Sequence, residues 1–185
     1  QTMDKGQYKS YSNVIAMALV EFFERKAKLQ DDPYFENNVQ GCIENNIPFG
    51  AYLYSYADSV EKAKSEARHT IRLVSKYKSK LDLPIFYYLE QENLGQYAVE
   101  NGKAFIDLME NYGYNVGIYA NQNMIDEYIK NNFNDYPLWI ARYGINDGEK
   151  HEEPEIPHGV QEEMWQYTDN YQVDGIDGSV GMNEI

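Results

Sequence analysis

Glu90 is the carboxylate of this sequence whose position best suits chemistry. It ends the run Leu83 to Glu90, LPIFYYLE, which reads as a strand. Side chains alternate along a strand, so Phe86, Tyr88 and Glu90 share one face. In a parallel barrel Glu90 is then the last inward residue at the carboxyl end, where such folds gather their active groups. A carboxyl packed there against Tyr88 and other rings is partly desolvated, the setting of a general acid. The alternative is that Glu90 opens a solvated loop, as Gln91 and Glu92 do. Eighteen tyrosines and two tryptophans exceed what a core needs. Rings with polar tips suit sugars, whose C–H faces stack while the hydroxyls take hydrogen bonds. A Tyr-rich core and surface is the competing reading.

Other chemistries find little support. The single Cys42 excludes an internal disulfide and a cysteine-based zinc site. It falls in a helical pattern beside Ile43, as a small buried filler does. His69, His151 and His158 lack ligand spacing and read as solvated, so no metal site is expected. No glycine-rich phosphate loop follows any strand, so no nucleotide or other cofactor is expected.

The elements that must position Glu90 alternate from Asp31 onward. Asp32-Pro33 reads as an N-cap with proline at the first helical position. Tyr34 to Asn46 is helical, with Phe35, Val39 and Ile43 four apart. Ile47 to Tyr56 reads as a strand. Ser59 caps a helix whose Val60, Ala63, Ala67, Ile71 and Val74 form one apolar stripe. After the Leu83 strand come a helix from Gln96 to Asn111, a strand from Tyr114 to Ala120 and a short helix from Asn123 to Asn131. Strands follow at Pro137 to Tyr143 and Glu163 to Thr168, separated by a polar excursion, Asn146 to Gly159. Val173 to Met182 reads as a final hairpin. Near the start, Val14 to Val20 favours a strand followed by a polar loop over Glu21 to Asp31; one amphipathic helix over Ser12 to Leu29 is the alternative. Strands spaced by helices imply a parallel sheet, either barrel or doubly wound.

Length and charge bound the rest. The 185 residues suit one domain, yet an eight-fold barrel usually takes about 250. The expected fold is therefore an incomplete or modified TIM-like (β/α) barrel of the α/β class, spanning 1–185, with 1–31 divergent. A formal net charge of −14, with no basic stripe, argues against nucleic acid as a partner. No segment approaches the roughly 20 apolar residues that cross a membrane. No signal-peptide pattern is visible, and a start at Gln1 is consistent with a processed chain.

Several separated stretches carry a more specific likeness. They are DPYFENNVQGCIENNIPFGAYLYSYADSVEKAKSEA, LPIFYYLEQE, NVGIYANQNM, PLWIARY and MWQYTDNYQVDGIDGSVGMN. Together, over about Asp31 to Asn183, the chain resembles glycoside hydrolase family 25, lysozymes that cleave peptidoglycan between N-acetylmuramic acid and N-acetylglucosamine. The resemblance implies a muramidase barrel with Glu90 as the acid. The family's Asp-x-Glu falls on Tyr88-Leu89-Glu90, so its Asp is replaced by Tyr88. The first-strand Asp corresponds to Asp4, with Met3 and Tyr8 echoing the family's opening. The C-terminal Gly-x-Val-Asp-x-Asn falls on Gly178 to Asn183, with Gly181 in place of Asp, and a second-strand Arg falls on Met17. The family's aromatic groove falls on Tyr54, Tyr119, Trp139, Tyr143, Trp165 and Tyr167.

These departures bear on activity. Glycosidases of this kind use two carboxylates, and Tyr88 supplies no negative charge, since an ordinary phenol ionises near pH 10. Losing such a stabiliser costs about 10²–10³ in rate; Asp4 or Asp177 would compensate in part. Three readings stand: a peptidoglycan glycosidase, weakened or inactive; a non-hydrolytic glycan binder; or a mouth repurposed by evolution or engineering, with Glu90 acting as acid or base on another small molecule. The expected partner is cell-wall glycan or a small ligand, for a monomer that the resemblance places outside the cell.

Overall fold

The computed structural model describes residues 16–20, 29, 31–151, 162–170 and 178–181. Among the described residues, seven strands form one sheet in sequence order: β1 (Ala16–Val20), β2 (Phe49–Tyr54), β3 (Ile85–Tyr88), β4 (Val116–Asn121), β5 (Leu138–Ala141), β6 (Glu162–Thr168) and β7 (Gly178–Gly181). The first six run parallel, and β7 returns antiparallel beside β6. Among the described residues no pairing joins β7 back to β1. The result is a curled α/β half-barrel, in agreement with the incomplete barrel expected.

Helices α1 (Phe35–Asn45), α2 (Val60–Val74) and α3 (Ala98–Asn111) cover the outer face. Their buried Val39, Ala67, Phe105 and Ile106 pack on Leu53, Ile85, Tyr87 and Ile118 of the sheet. The opposite, concave face carries a second cluster of Tyr52, Phe86, Tyr119, Trp139, Ala141 and Met164. Strands buried on both faces read as continuous apolar runs, which is why the sequence marks them so clearly. Gly117 makes the concave packing possible: a Cβ there would lie 2.6 Å from both the Phe86 ring and the Pro137 carbonyl.

Local signals mostly hold. Ser59 caps α2, its side chain accepting from the Lys62 amide. The early strand forms at Ala16–Val20 and pairs with β2, so the helix alternative fails there. Cys42 is buried, and burial pushes its thiol pKa up. Of the final hairpin, Gly178–Gly181 is the described part, and 152–161 and 171–177 lie outside the described residues.

Four expectations need correction. Asp32 does not cap α1; its Oδ1 accepts from the Tyr34 amide in a turn, and the helix starts at Phe35. The helix expected over Asn123 to Asn131 is a short turn, Gln122–Met124, that widens into π geometry over Ile125–Ile129. His69 is not solvated: its side chain is 11% exposed, 3.3 Å from Asp31. Burial first, and then Arg72, lowers its pKa. A short basic row does exist, since Lys64, Arg68 and Arg72 recur every four residues along α2, all exposed. Averaging charge over an acidic chain hides it. Arg72 and Lys76 are paired with Asp31 and Glu36.

Candidate active site

Parallel strands point their carboxyl ends the same way, and the concave side chains there come from alternate positions. One hydrogen-bonding row runs Tyr54, Tyr88, Tyr119, Trp139, Met164 and Gly181. The next row toward the carboxyl ends holds Asn121, Ala141, Gln166 and Ser179, and Glu90 follows Tyr88 at that level. The Leu89 amide still donates to the Tyr119 carbonyl, so β3 stays tied to β4 up to the carboxylate.

Glu90 is part-buried and accepts on both oxygens. The Tyr88 hydroxyl donates to Oε2 at 2.6 Å, and Asn121 Nδ2 donates to Oε1 at 3.1 Å. Asn121 is itself held, because its Oδ1 accepts from the Met124 amide at the start of the following turn. The Tyr88 ring lies between two others, 3.8 Å from Tyr119 and 4.6 Å from Tyr54 between centroids. Burial, and then the hydrogen bond to Glu90, raise the Tyr88 pKa far above that of a free phenol. The Tyr119 pKa is raised as well, first by burial and then by the neighbouring Tyr88 and Glu90 groups. Both are neutral hydroxyl donors at any physiological pH.

The aromatic wall continues on either side. Tyr54 accepts at its hydroxyl from Gln91 Nε2, 2.7 Å away, and stacks on Tyr56 at 4.8 Å. Tyr119 donates to Gln166 Oε1, which the Tyr143 hydroxyl also approaches at 3.4 Å. Trp139 meets Tyr119 edge to face at 4.8 Å, and its buried Nε1 has no partner among the described residues.

Tyr54, Tyr88, Glu90, Tyr119, Trp139 and Tyr143 are thus brought together, whereas Trp165, Tyr167, Met17 and Gly181 are not. Trp165 and Tyr167 alternate with Met164 and Gln166, so they occupy the outer face of β6. Trp165 donates to the Arg142 carbonyl and packs on Tyr167. Their size suggests groove lining, but the strand phase assigns that place to Gln166. Met17 pairs with Gly50, four positions before Tyr54, so its backbone is near the amino end of β1 and not at the mouth. Gly181 shares the Tyr88 row but lies four strands away. Asp4, His158 and Asp177 lie outside the described residues. Asn121, Gln91 and Gln166 are residues of the candidate site that the sequence reading missed. Asn121 lies directly after the strand Tyr114 to Ala120 with a following helix, and that adjacency is the signal that could have found it. Among the described residues no three of His, Cys, Asp and Glu gather as metal ligands, and no helix is long and apolar enough to cross a membrane.

What this arrangement can do is present one carboxylate, flanked by neutral donors, beside a face of stacked phenols. Comparison with known proteins narrows the meaning of that. The family model described as Glycosyl hydrolases family 25 matches residues 13–176. The likeness therefore reaches well before Asp31, whereas Asp4 and Gly181 fall outside the matched residues. The uncharacterized protein YegX of Escherichia coli O157:H7 is 30% identical over 157 residues, covering 82% of this chain and 53% of that protein. The autolytic lysozyme of Clostridium acetobutylicum is 28% identical over 158 residues, covering 83% of this chain and 44% of that protein. The chain thus spans about half the length of these curated relatives. A family 25 glycosyl hydrolase from Bacillus anthracis superposes with a TM-score of 0.76 at 23% identity, over 98% of this chain and 84% of that one, a likeness of fold.

Proposed function

The chain belongs to glycosyl hydrolases family 25, and from that premise we propose that it is a peptidoglycan-directed N-acetylmuramidase with Glu90 as proton donor, slowed by the loss of the neighbouring carboxylate. The observation that supports this reading is Glu90 itself, at the carboxyl end of β3, hydrogen-bonded by Tyr88 and Asn121 and bordered by Tyr54 and Tyr119. A sugar ring laid on those phenols presents its glycosidic oxygen to the carboxyl. Protonation of that oxygen needs a companion to stabilise the oxocarbenium-like centre. Tyr88 stands where the family's Asp is expected and is held neutral by burial. The missing charge corresponds to roughly 10²–10³ in rate. The related autolytic lysozyme supports cell wall as the site of action, and we place this chain there, as a monomer.

A second reading has one observation in its favour. Both Glu90 oxygens already accept hydrogen bonds, an arrangement equally suited to holding a glycan without cutting it. Turbidity clearing of bacterial cell walls separates the two. Slow clearing that disappears in Glu90→Gln supports the muramidase. Retained binding to walls with no clearing at any enzyme concentration supports the binder.

A further inference from the structure

Behind the aromatic wall lies a buried carboxylate that the chemistry above does not use. Glu66 projects from α2 between Ala63, Ala67 and Thr70 and is 4% exposed. A carboxylate so placed is costly unless hydrogen bonds replace its water. Here three donors converge on it. The Ser55 hydroxyl (3.0 Å) and the Tyr87 hydroxyl donate to Oε2, and the Tyr56 amide donates to Oε1 at 3.0 Å. The chain just past β2 is gripped from other sides as well. The Ser55 amide donates to the Tyr88 carbonyl, the Ala57 amide to Ser55 Oγ, and Asn101 Nδ2 of α3 to the Ala57 carbonyl at 2.6 Å.

Ser55 faces the helices, so its neighbours Tyr54 and Tyr56 face the other way. They stack on each other, Tyr54 also stacks on Tyr88, and Gln91 ties Tyr54 to the segment after Glu90. A cavity of about 10 Å³ is lined by Ser55, Ala57 and Asn101 on one side and by Glu90 and Gln91 on the other. The grip on residues 55–57 and the candidate acid therefore border the same small space.

We propose that Glu66 is a positioning residue for the glycan face: from the far side of the sheet it fixes the Ser55–Ala57 turn, and through it sets the Tyr54–Tyr56 wall and Gln91 beside Glu90. The ligand in this statement rests on the muramidase reading; the positioning does not. An apolar residue of similar size would fill the space under Ser55 but would leave the Tyr56 amide unpaired and, since the Ser55 and Tyr87 hydroxyls already bond each other at 2.7 Å, one hydroxyl proton without an acceptor. Glutamine keeps an acceptor for that amide, and the two hydroxyls can rotate to accept from its NH₂.

The test compares Glu66→Ala, Glu66→Gln and Val74→Ala in the full chain. Val74 is buried on the same helix and has no part in the network, so it controls for lost stability. Two quantities are read: amide exchange at Tyr56 and Ala57, and affinity for a soluble peptidoglycan tetrasaccharide. Folded Glu66→Ala is expected to speed exchange at both amides and weaken binding about tenfold, since small displacements of positioning groups carry penalties of this order or larger. Glu66→Gln should stay within about threefold of the parent, and Val74→Ala should leave affinity unchanged. Equal losses in Glu66→Ala and Val74→Ala, or unchanged affinity in Glu66→Ala, overturn the proposal. If the parent chain binds no tetrasaccharide, the functional reading fails, and the Gln91 side-chain amide resonance then decides. Its displacement in Glu66→Ala, but not in Val74→Ala, sustains the positioning role; an unmoved resonance ends it.

Discussion

Replacing Tyr88 by Asp exchanges a neutral hydroxyl beside Glu90 for the charge that the family places there, and it does so at a structural cost. The Tyr88 ring is sandwiched 3.8 Å from Tyr119 and 4.6 Å from Tyr54, and also borders Tyr52 at 5.6 Å. Emptying a fully buried aromatic site costs about 3–5 kcal/mol; Tyr88 is part-buried, which argues for the lower end, about 3 kcal/mol. For a chain of this size that lowers Tm by roughly 6–12 °C. Against this, the new carboxylate should raise muramidase turnover about 10²-fold, or about 2.7 kcal/mol of barrier. Release of reducing ends from purified peptidoglycan at 20 °C, alongside a thermal melt, measures both effects. Tyr88→Phe separates charge from ring, because it keeps the stacking and should give neither a large Tm loss nor a gain in rate. A Tyr88→Asp protein that is folded at the assay temperature but no faster than the parent would mean that the missing charge does not limit the rate.

Three further outcomes follow from the packing. Tyr87 and Tyr119 are buried with pKa values raised well above the ordinary phenol, in each case chiefly by burial. A group raised on folding contributes stability that is complete below its unfolded pKa, near 10, and is lost as pH climbs from there toward the folded value. The two together give a loss of about 2.7 kcal/mol per pH unit above 10, to which Tyr88, raised first by burial, adds; denaturant melts should show at least that slope, and phenolate absorbance should appear for Tyr87 and Tyr119 only with unfolding. Ionisation of every tyrosine by pH 10.5 with the circular dichroism intact would contradict their burial. Gly117→Ala forces a Cβ against Phe86 and the Pro137 carbonyl, and should destabilise by about 1–3 kcal/mol in denaturant melts; a neutral effect argues against this packing. Trp139→Phe should weaken tetrasaccharide binding, whereas Trp165→Phe, on the outer face, should leave affinity within about twofold; the reverse order means that the phase of β6 is misassigned.

How far the sequence discloses the site depends on which residues carry the signal. Glu90 and Tyr88 are readable because β3 has a clear phase, with Phe86 and Tyr88 two apart and the acid two further on. The β6 segment EMWQYT lacks that clarity. Both of its faces are buried, so size draws attention to Trp165 and Tyr167 while the concave face is carried by Met164 and Gln166. Asn121 and Gln91 act through side-chain bonds to Glu90 and Tyr54 across strands that are distant in sequence, and no local pattern encodes such pairings. Met17 shows the limit from the other direction: composition places a strand at Val14 to Val20, but only the pairing with Gly50 gives its level. Glu66 is hidden for the opposite reason, since a glutamate in a charged helix reads as solvated until Ser55, Tyr56 and Tyr87 are seen to close around it.

If Glu90 is the proton donor, that one carboxylate carries whatever glycan cleavage this chain performs. The most direct measurement is the chemical identity and rate of new reducing ends released from purified peptidoglycan by the parent chain and by Glu90→Gln. Slow release of N-acetylmuramic acid ends is expected from the parent and none from Glu90→Gln. Release that survives in Glu90→Gln, or ends of a different sugar, would contradict that expectation.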